Sequence, residues 1–321
     1  MDDQVQTRDY FNRVATSYLD RYYSSDSGHY PNLQIRADIV NQALADFVKP
    51  EGRVLDAGCG AGNLTVELAR RGYHAHGIDL APNMVEVASS SASTLSEDQK
   101  ARFEIQQGSI EALPYPDAFF DATVASGVFE YLQVDDPALA ELRRVLKASG
   151  IALISYRNRT FNAYSANAYT LKETEAGELK NLLEATTDEI RKDIKSINHN
   201  VQYFCQELAK ASERLAERST AAGNEAPEME SSFKEQSDQF WEKTMMRRQH
   251  SVTEVKAAAE KAGFDLEKVF FFHFHPFPPF VRDIMPEAYD AIGLALEAFR
   301  ETRLGMIFAS GFVAMLRAKE D

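Results

Sequence analysis

The chain has 321 residues, 44% of them hydrophobic and 26% charged, with a formal net charge of −14 at pH 7. This is the balance of a globular protein, long enough for one large domain with an insertion or for two smaller domains. It excludes a bilayer-spanning helix, because no uninterrupted apolar stretch approaches the needed length, and it opposes a nucleic-acid partner, which would want a basic face. A local basic patch at Met246-Arg247-Arg248-Gln249-His250 does not reverse that field. Two cysteines, Cys59 and Cys205, cannot build a disulfide framework, and Met1-Asp2-Asp3-Gln4 is too polar for a signal peptide. A reducing, cytoplasmic setting is the expectation.

In chain order, residues 8–24 form an aromatic-rich segment carrying Tyr10, Phe11, Ala15, Tyr18, Tyr22 and Tyr23. Residues 54–65 then read Val-Leu-Asp-Ala-Gly-Cys-Gly-Ala-Gly-Asn-Leu-Thr. An apolar run enters an acid, Asp56. Gly58, Gly60 and Gly62 follow at alternate positions, and Leu64 and Leu68 recur at helical spacing. The pattern predicts a strand, a tight turn and a helix start. Glycine there frees the backbone for unusual dihedrals and for close approach of a ligand, and the helix start offers free N–H groups. Cys59, inside the turn, reads as a space-filler.

A second strand, His74–Leu80, ends in Asp79, twenty-three residues after Asp56. An acid at that tip is placed to bind ribose hydroxyls. Arg102–Ser109 reads as a third strand and 121–129 as a fourth, ending in Ser126-Gly127-Val128-Phe129. Pro137 opens a helix with Leu139, Leu142 and Leu146 on one face, and Gly150 turns into a fifth strand, Ile151–Ile154. Alternating strands and helices with continuous apolar strand cores predict an α/β fold with a parallel sheet covered on both faces.

The turn is G-x-G-x-G preceded by Asp-Ala, rather than the G-x-G-x-x-G of dinucleotide folds. With Asp79, and with the stretch Glu111-Ala112-Leu113-Pro114-Tyr115-Pro116-Asp117 before Phe119-Phe120-Asp121, it resembles the class I S-adenosylmethionine (SAM) dependent methyltransferase family. The resemblance covers about residues 10–158 and, more loosely, 250–319. The runner-up is a Rossmann-type dehydrogenase. The resemblance implies a Rossmann-like, seven-stranded, mostly parallel sheet, with strand seven antiparallel beside strand six. It implies SAM as cofactor and S-adenosylhomocysteine as product. Asp56 would act near the methionine amino end, Gly58 and Gly60 along the methionyl and ribose portions, and Asp79 on both ribose hydroxyls, since a carboxylate only accepts. Leu80 and Met84 would sandwich the adenine. Where the family often carries an acid, this chain has Ser109-Ile110, which leaves a serine oxygen and the Ile110 N–H for the adenine edge. A Ser126 carbonyl would meet the SAM ammonium. Tyr18, on a lid formed by the N-terminal segment (1–50), would face the cofactor; the alternative is that these aromatics only dock a helix.

A SAM-binding core at 51–158 leaves a long connection at 159–249 before a C-terminal completion of the sheet at 250–321. In the connection, Ile190, Ile194, Ile197, Val201, Phe204, Leu208, Ala211 and Leu215 are spaced by alternating fours and threes. That spacing predicts one long helix with a narrow apolar stripe. Gly223, Asn224 and Pro227 break it, and Phe233, Phe240, Trp241 and Met245 mark a returning helix. The hairpin would serve as a substrate cap or a homodimer seam, or would pack only on itself. Val252–Ala262 then predicts a helix closed by Gly263, Leu266–Phe274 strand six and Pro286–Arg300 a helix, and Gly305–Arg317 contains strand seven.

Methyl transfer is an in-line displacement at a sulfonium carbon, so alignment supplies much of the rate and a general base helps a hydroxyl acceptor. Candidates for that base are His250, His273, His275 and Glu130. In the run Phe272-His273-Phe274-His275-Pro276, period-two alternation puts both histidines on one side of a strand. They suit substrate contact, a structural pair or, with no matching carboxylate or thiol cluster nearby, less readily a metal pair. Arg157, after strand five, suits a substrate carboxylate or phosphate, or a salt bridge to the insertion; Asn158 and Asn162 suit hydroxyls. The leading expectation is methylation of a hydroxyl or amine on a small molecule such as a sugar or glycan intermediate. The alternatives are a protein or RNA methyltransferase docking through the hairpin and a non-catalytic SAM-binding partner protein.

Overall fold

A computed structural model describes residues 3–23, 30–221 and 247–320. In chain order the elements are α1 (Asp3–Tyr23), α2 (Asn32–Phe47), β1 (Arg53–Ala57), α3 (Asn63–Arg70), β2 (His74–Asp79), α4 (Pro82–Ser90), α5 (Glu97–Lys100), β3 (Phe103–Gln107), β4 (Phe120–Ala125), α6 (Asp136–Val145) and β5 (Leu146–Arg157). There follow α7 (Asn162–Ser165), α8 (Ala168–Glu175), α9 (Leu179–Lys192), α10 (Ile194–Ala221), α11 (Val252–Lys261), β6 (Phe264–Phe274), α12 (Pro286–Leu296), α13 (Gly305–Phe308) and β7 (Ala309–Ala318). They divide into two units: Met1–Tyr156 with Val252–Val269 and Val313–Asp321, and Arg157–Ser251 with Phe270–Phe312. No helix among the described residues is long and apolar enough to cross a membrane.

The strands form one seven-stranded sheet in the order β3-β2-β1-β4-β5-β7-β6. The pairs β1–β2, β1–β4, β2–β3 and β4–β5 are parallel. Lys319 N donates to Gly263 O at 3.0 Å and His275 N to Phe308 O at 2.7 Å, so β7 runs antiparallel to β6. Asn158 N donates to Ser310 O at 2.9 Å while Ser149 Oγ meets Glu320 Oε1 at 2.9 Å, which makes β7 antiparallel to β5 as well. This is the mixed sheet that the family resemblance implies. Val54, Leu55 and Ala57 are all fully buried, as expected of a central parallel strand covered on both faces.

Several element ends differ from the sequence reading: β5 begins at Leu146 rather than Ile151, and β6 at Phe264 rather than Leu266. β4 stops at Ala125 because Gly127, at φ +78°, turns the chain into a short 3-10 turn at Phe129–Tyr131. Leu146 is the first residue of β5 rather than the last of the preceding helix. Gly263, at φ +85°, does end α11.

In the first unit α1 lies across α4. Ala15 joins Ala61, Ala81 and Met84 in one buried cluster, with Phe11, Val14 and Val87 packed against it. Asn12 reinforces the contact: its Oδ1 accepts from Asn83 N and its carbonyl from Asn83 Nδ2, both at 3.1 Å.

In the second unit the connection after β5 is helical, but the first arm is not one helix. The chain breaks at Asp193, which leaves Ile190 on α9, while Ile194 starts the 28-residue α10. Asp193 caps the break: its carbonyl accepts from Ile197 N at 3.1 Å and its carboxylate accepts from Arg303 N. The stripe on α10 finds its partner in α12 and the 3-10 turn Glu297–Phe299; Phe204 and Phe299 have ring centroids 5.4 Å apart. Ile194, Val201 and Tyr203 stay exposed. The returning helix expected around Phe233–Met245 lies outside the described residues.

Candidate functional site

The glycine turn between β1 and α3 is built from three positive-φ glycines, Gly58 at +79°, Gly60 at +52° and Gly62 at +82°. They have different reasons to be glycine. A Cβ on Gly58 would stand 2.3 Å from Val128 Cγ2, and one on Gly62 would stand 2.9 Å from Ala88 Cβ. A Cβ on Gly60 would meet nothing within 4 Å. Gly58 and Gly62 therefore serve packing, while Gly60 presents bare backbone to open space.

Asp79 ties the turn to the tip of β2. Its Oδ2 accepts from Gly60 N at 2.8 Å and its Oδ1 from Ala81 N at 2.9 Å. Burial raises its pKa against the pull of those N–H groups. Each oxygen keeps a lone pair for a further donor. Asp56 is buried and accepts from Thr65 Oγ1 at 2.7 Å. Burial above all, and secondarily the charge of Asp79, push it up to about 7, opposed by the Thr65 bond and by Arg36.

Arg36 escaped the sequence reading. On α2 it is one more charge of an amphipathic helix, and nothing in its neighbours marks it. Folding sets its guanidinium 3.2 Å from where a Cβ on Gly127 would lie, beside the end of β4. It is half-buried and forms no ion pair among the described residues. Thr65 was likewise unmarked.

The other cofactor candidates are spread around this turn. Ser126 directly follows β4, and Leu80 directly follows β2 and is half-buried. Ser109 Oγ accepts from Glu111 N at 3.2 Å, which leaves it one lone pair and its proton; Ile110 is buried. Met84 is fully buried in one cluster with Ala15, Ala61 and Ala81. Its present role is packing. Tyr18 lies on α1, where its side chain is outside the described ones. The Cys59 thiol is buried, which pushes its pKa well up and leaves it a poor nucleophile. Glu130 sits half-buried on the 3-10 turn after β4.

The second unit holds Arg157, His250, His273 and His275. His250 N donates to Arg157 O, and Arg159 N to His250 O, both at 2.9 Å, so the main chains of Arg157 and His250 are adjacent. The Arg157 guanidinium lies over the Tyr169 ring, 5.9 Å from its centroid. His273 and His275 do come together, with ring centroids 4.3 Å apart. His273 sits at φ +59°, and its N–H leaves the strand ladder to donate to Glu297 Oε1 at 2.9 Å. Its Nδ1 is 3.0 Å from Ser310 Oγ. Burial and the nearby Arg282 lower His273 to about 4 and His275 well below the usual histidine range, so both rings are neutral at neutral pH. Among the described residues no three of His, Cys, Asp and Glu converge as a metal site would require.

Asn158 and Asn162 do not await a substrate. Asn158 Nδ2 donates to Gly305 O, Met306 O and Ala309 O at 3.3, 2.9 and 2.8 Å, and its Oδ1 accepts from Thr160 N and Oγ1 at 3.1 and 2.6 Å. Asn162 Nδ2 donates to Glu173 Oε1 at 3.2 Å and Gln249 Oε1 at 2.7 Å. Both are 1% exposed. Buried amides must be satisfied from within, and these are.

A family model described as a methyltransferase domain matches residues 55–154. The ubiquinone biosynthesis O-methyltransferase of Xylella fastidiosa is 31% identical over 169 residues, 48% of this chain and 66% of that protein. The malonyl-[acyl-carrier protein] O-methyltransferase of Serratia marcescens is 36% identical over 106 residues, 33% of this chain and 38% of that protein. The chain thus spans between 38% and 66% of the length of these curated relatives. Among solved structures, the magnesium protoporphyrin IX methyltransferase of Synechocystis PCC 6803 with bound S-adenosylhomocysteine superposes with a TM-score of 0.53 at 15% identity, covering 99% of this chain and 100% of that one. The [4+2]-cyclase SpnF superposes with a TM-score of 0.52 at 16% identity, covering 98% and 96%. Identities that low speak for the fold alone, and a fold hosts more than one chemistry. The glycine turn, the Asp79 anchor, the matched family model and the O-methyltransferase relatives agree: the chain carries a methyltransferase domain of the class I SAM-dependent type, matched at residues 55–154, and SAM is its cofactor.

Proposed function

We propose that this protein transfers a methyl group from SAM to a hydroxyl or amine of a small molecule. The observation that carries the reading is the Asp79 carboxylate, oriented by Gly60 N and Ala81 N beside the bare backbone of Gly60. A ribose laid there would give its two hydroxyls to the two oxygens. Asp56 would serve the methionyl ammonium, and Arg36 the methionyl carboxylate by paired hydrogen bonds. A sulfonium needs no covalent catalysis, so a site that holds the cofactor rigidly and excludes water supplies most of what the reaction requires.

The net charge of −14 supports a small acceptor over RNA. The O-methyltransferase names of the relatives support oxygen as the acceptor atom. A sugar or glycan loses two of the side chains that suggested it, since Asn158 and Asn162 are spent within the fold. Arg157, His250, His273 and His275 remain as the acceptor-side candidates. The test is incubation with methyl-labelled SAM and a small-molecule extract, followed by mass spectrometry of the labelled fraction. Label in a small molecule supports the reading; label in protein or RNA moves it to the macromolecular alternative. SAM binding in calorimetry with no label transferred to any fraction would leave a binding protein.

A further inference from the structure

Within the first unit, β4 lies between β1 and β5. Its ladder with β1 ends at the pair Val124–Asp56, and its ladder with β5 at Ala125–Ile154. Beyond that last pair a side chain takes over from the main chain: Ser155 Oγ accepts from Gly127 N at 2.7 Å. Ser155 is 5% exposed, so the bond is shielded from water.

That N–H belongs to the same peptide group as the Ser126 carbonyl. The group is planar and trans, so the carbonyl points opposite to the N–H. With the N–H turned to β5, the carbonyl is turned to the β1 side, where the glycine turn begins. Val128 marks how near that turn is: its Cγ2 stands 2.3 Å from where a Cβ on Gly58 would lie. The Ser126 carbonyl accepts no hydrogen bond among the described residues. Ser126 is half-buried, and a carbonyl in such a place needs a donor.

Gly127, at φ +78°, has the widest backbone freedom of any residue type, so the Ser126–Gly127 peptide would rotate readily without a fixed acceptor for its N–H. We infer that Ser155 is a positioning residue for the cofactor: it turns the Ser126 carbonyl to accept from the methionyl ammonium of SAM. The inference deepens the reading given under Proposed function and rests on it for the place of the ammonium. An ammonium carries three donors, enough for Asp56 and Ser126 O together. Arg36 adjoins the same turn and takes the carboxylate in that reading, so the two charged groups of the methionyl end have separate partners. Ser155 acts through the Ser126 carbonyl.

The test is calorimetry on the full chain with S-adenosylhomocysteine and with deamino-S-adenosylhomocysteine, which keeps the carboxylate and lacks the amino group. The parent chain should favour the first ligand; no preference overturns the inference. Ser155→Ala should lower S-adenosylhomocysteine affinity about tenfold, the scale of one charge-assisted hydrogen bond, and leave the deamino analogue within about twofold. Ser155→Cys keeps nearly the parent volume with a weaker acceptor, and should fall between. Equal losses for both ligands would make Ser155 a support of the fold and overturn the inference. Parental S-adenosylhomocysteine affinity in Ser155→Ala overturns it too. If the alanine variant does not fold, the ratio of the two affinities in Ser155→Cys decides. Methyl transfer fails separately: a parent chain that binds S-adenosylhomocysteine but labels no acceptor strikes that reading, and the same ratio still decides the role of Ser155.

Discussion

Gly60 and Asp79 are joined by a 2.8 Å hydrogen bond from the glycine N–H to the carboxylate Oδ2, so the cofactor turn and the tip of the second strand cannot move independently. Asp79→Ala removes the acceptor for both Gly60 N and Ala81 N as well as the proposed ribose contact. Calorimetry should find SAM affinity lowered by about 1–3 kcal/mol, the cost of losing charged hydrogen bonds. Asp79→Asn should rescue little, because one of its two positions would turn an N–H toward a backbone N–H. Near-parental affinity in the asparagine variant would contradict this.

Two glycines two residues apart should fail differently. Gly58→Ala drives a methyl group into Val128, so the melting temperature should fall sharply. Gly60→Ala meets no protein atom and bears only the left-handed strain, roughly 1–2 kcal/mol. Its larger effect should be on SAM affinity, since the added carbon occupies the open side of the turn. A Gly60→Ala variant with unchanged SAM affinity would remove that glycine from the site.

The Asp56 pKa, about 7, gives a pH signature. A folded pKa above the unfolded value means that the native state holds the proton more tightly. The associated stability is full below the ordinary carboxylate range and is lost as pH rises through about 7. Asp56→Asn, which cannot ionise, should therefore melt above the parent at pH 8, with the gap closing in acid. Cationic SAM favours the ionised acid, so SAM affinity should rise between about pH 5.5 and about pH 8 and binding should release protons. Calorimetry in buffers of different ionisation enthalpy measures that release; none at pH 6.5 would contradict the assignment.

Arg36→Ala should weaken SAM and S-adenosylhomocysteine alike, because both carry the methionyl carboxylate, and should weaken 5′-methylthioadenosine, which lacks it, hardly at all. Arg36→Lys should recover only part, since a point charge cannot make the paired contact. Equal losses for all three ligands would show that Arg36 supports the fold rather than the carboxylate.

On α10, Phe204→Asp should lower thermal stability by about 2–4 kcal/mol, as it puts a charge against Phe299 in place of a packed ring. Val201→Asp, at a position 41% exposed, should be nearly silent in a monomer. Light scattering in which Val201→Asp dissolves a dimer would show that a second copy covers this face.

The glycine turn was legible because it is local. The tight turn needs positive φ at Gly58, Gly60 and Gly62, and only glycine takes it freely, so the requirement is written into twelve consecutive residues. Period-two alternation likewise brought His273 beside His275, although the left-handed φ of His273 has no sequence signal. What failed was tertiary. Arg36 reaches the Gly127 turn from a helix that precedes β1, and no spacing rule links them. Asn158 looked available at the end of a strand, yet the chain about 150 residues later supplies three carbonyls that consume its amide. The stripe on α10 demanded a partner, but its period could not say that the partner is α12.

That last pairing shapes how the protein is made. Phe204 and Phe299 are separated by ninety-five positions in the chain, so during synthesis α10 leaves the ribosome well before the surface that covers it. At about 5–20 residues per second, the apolar stripe waits several seconds or more for α12 to emerge. The Phe204–Phe299 contact cannot form cotranslationally until the chain through Phe299 has been made. A stop codon or a pause before Pro286 would therefore leave a nascent chain whose Phe204 lacks the Phe299 ring it packs against, a substrate for chaperones or for aggregation.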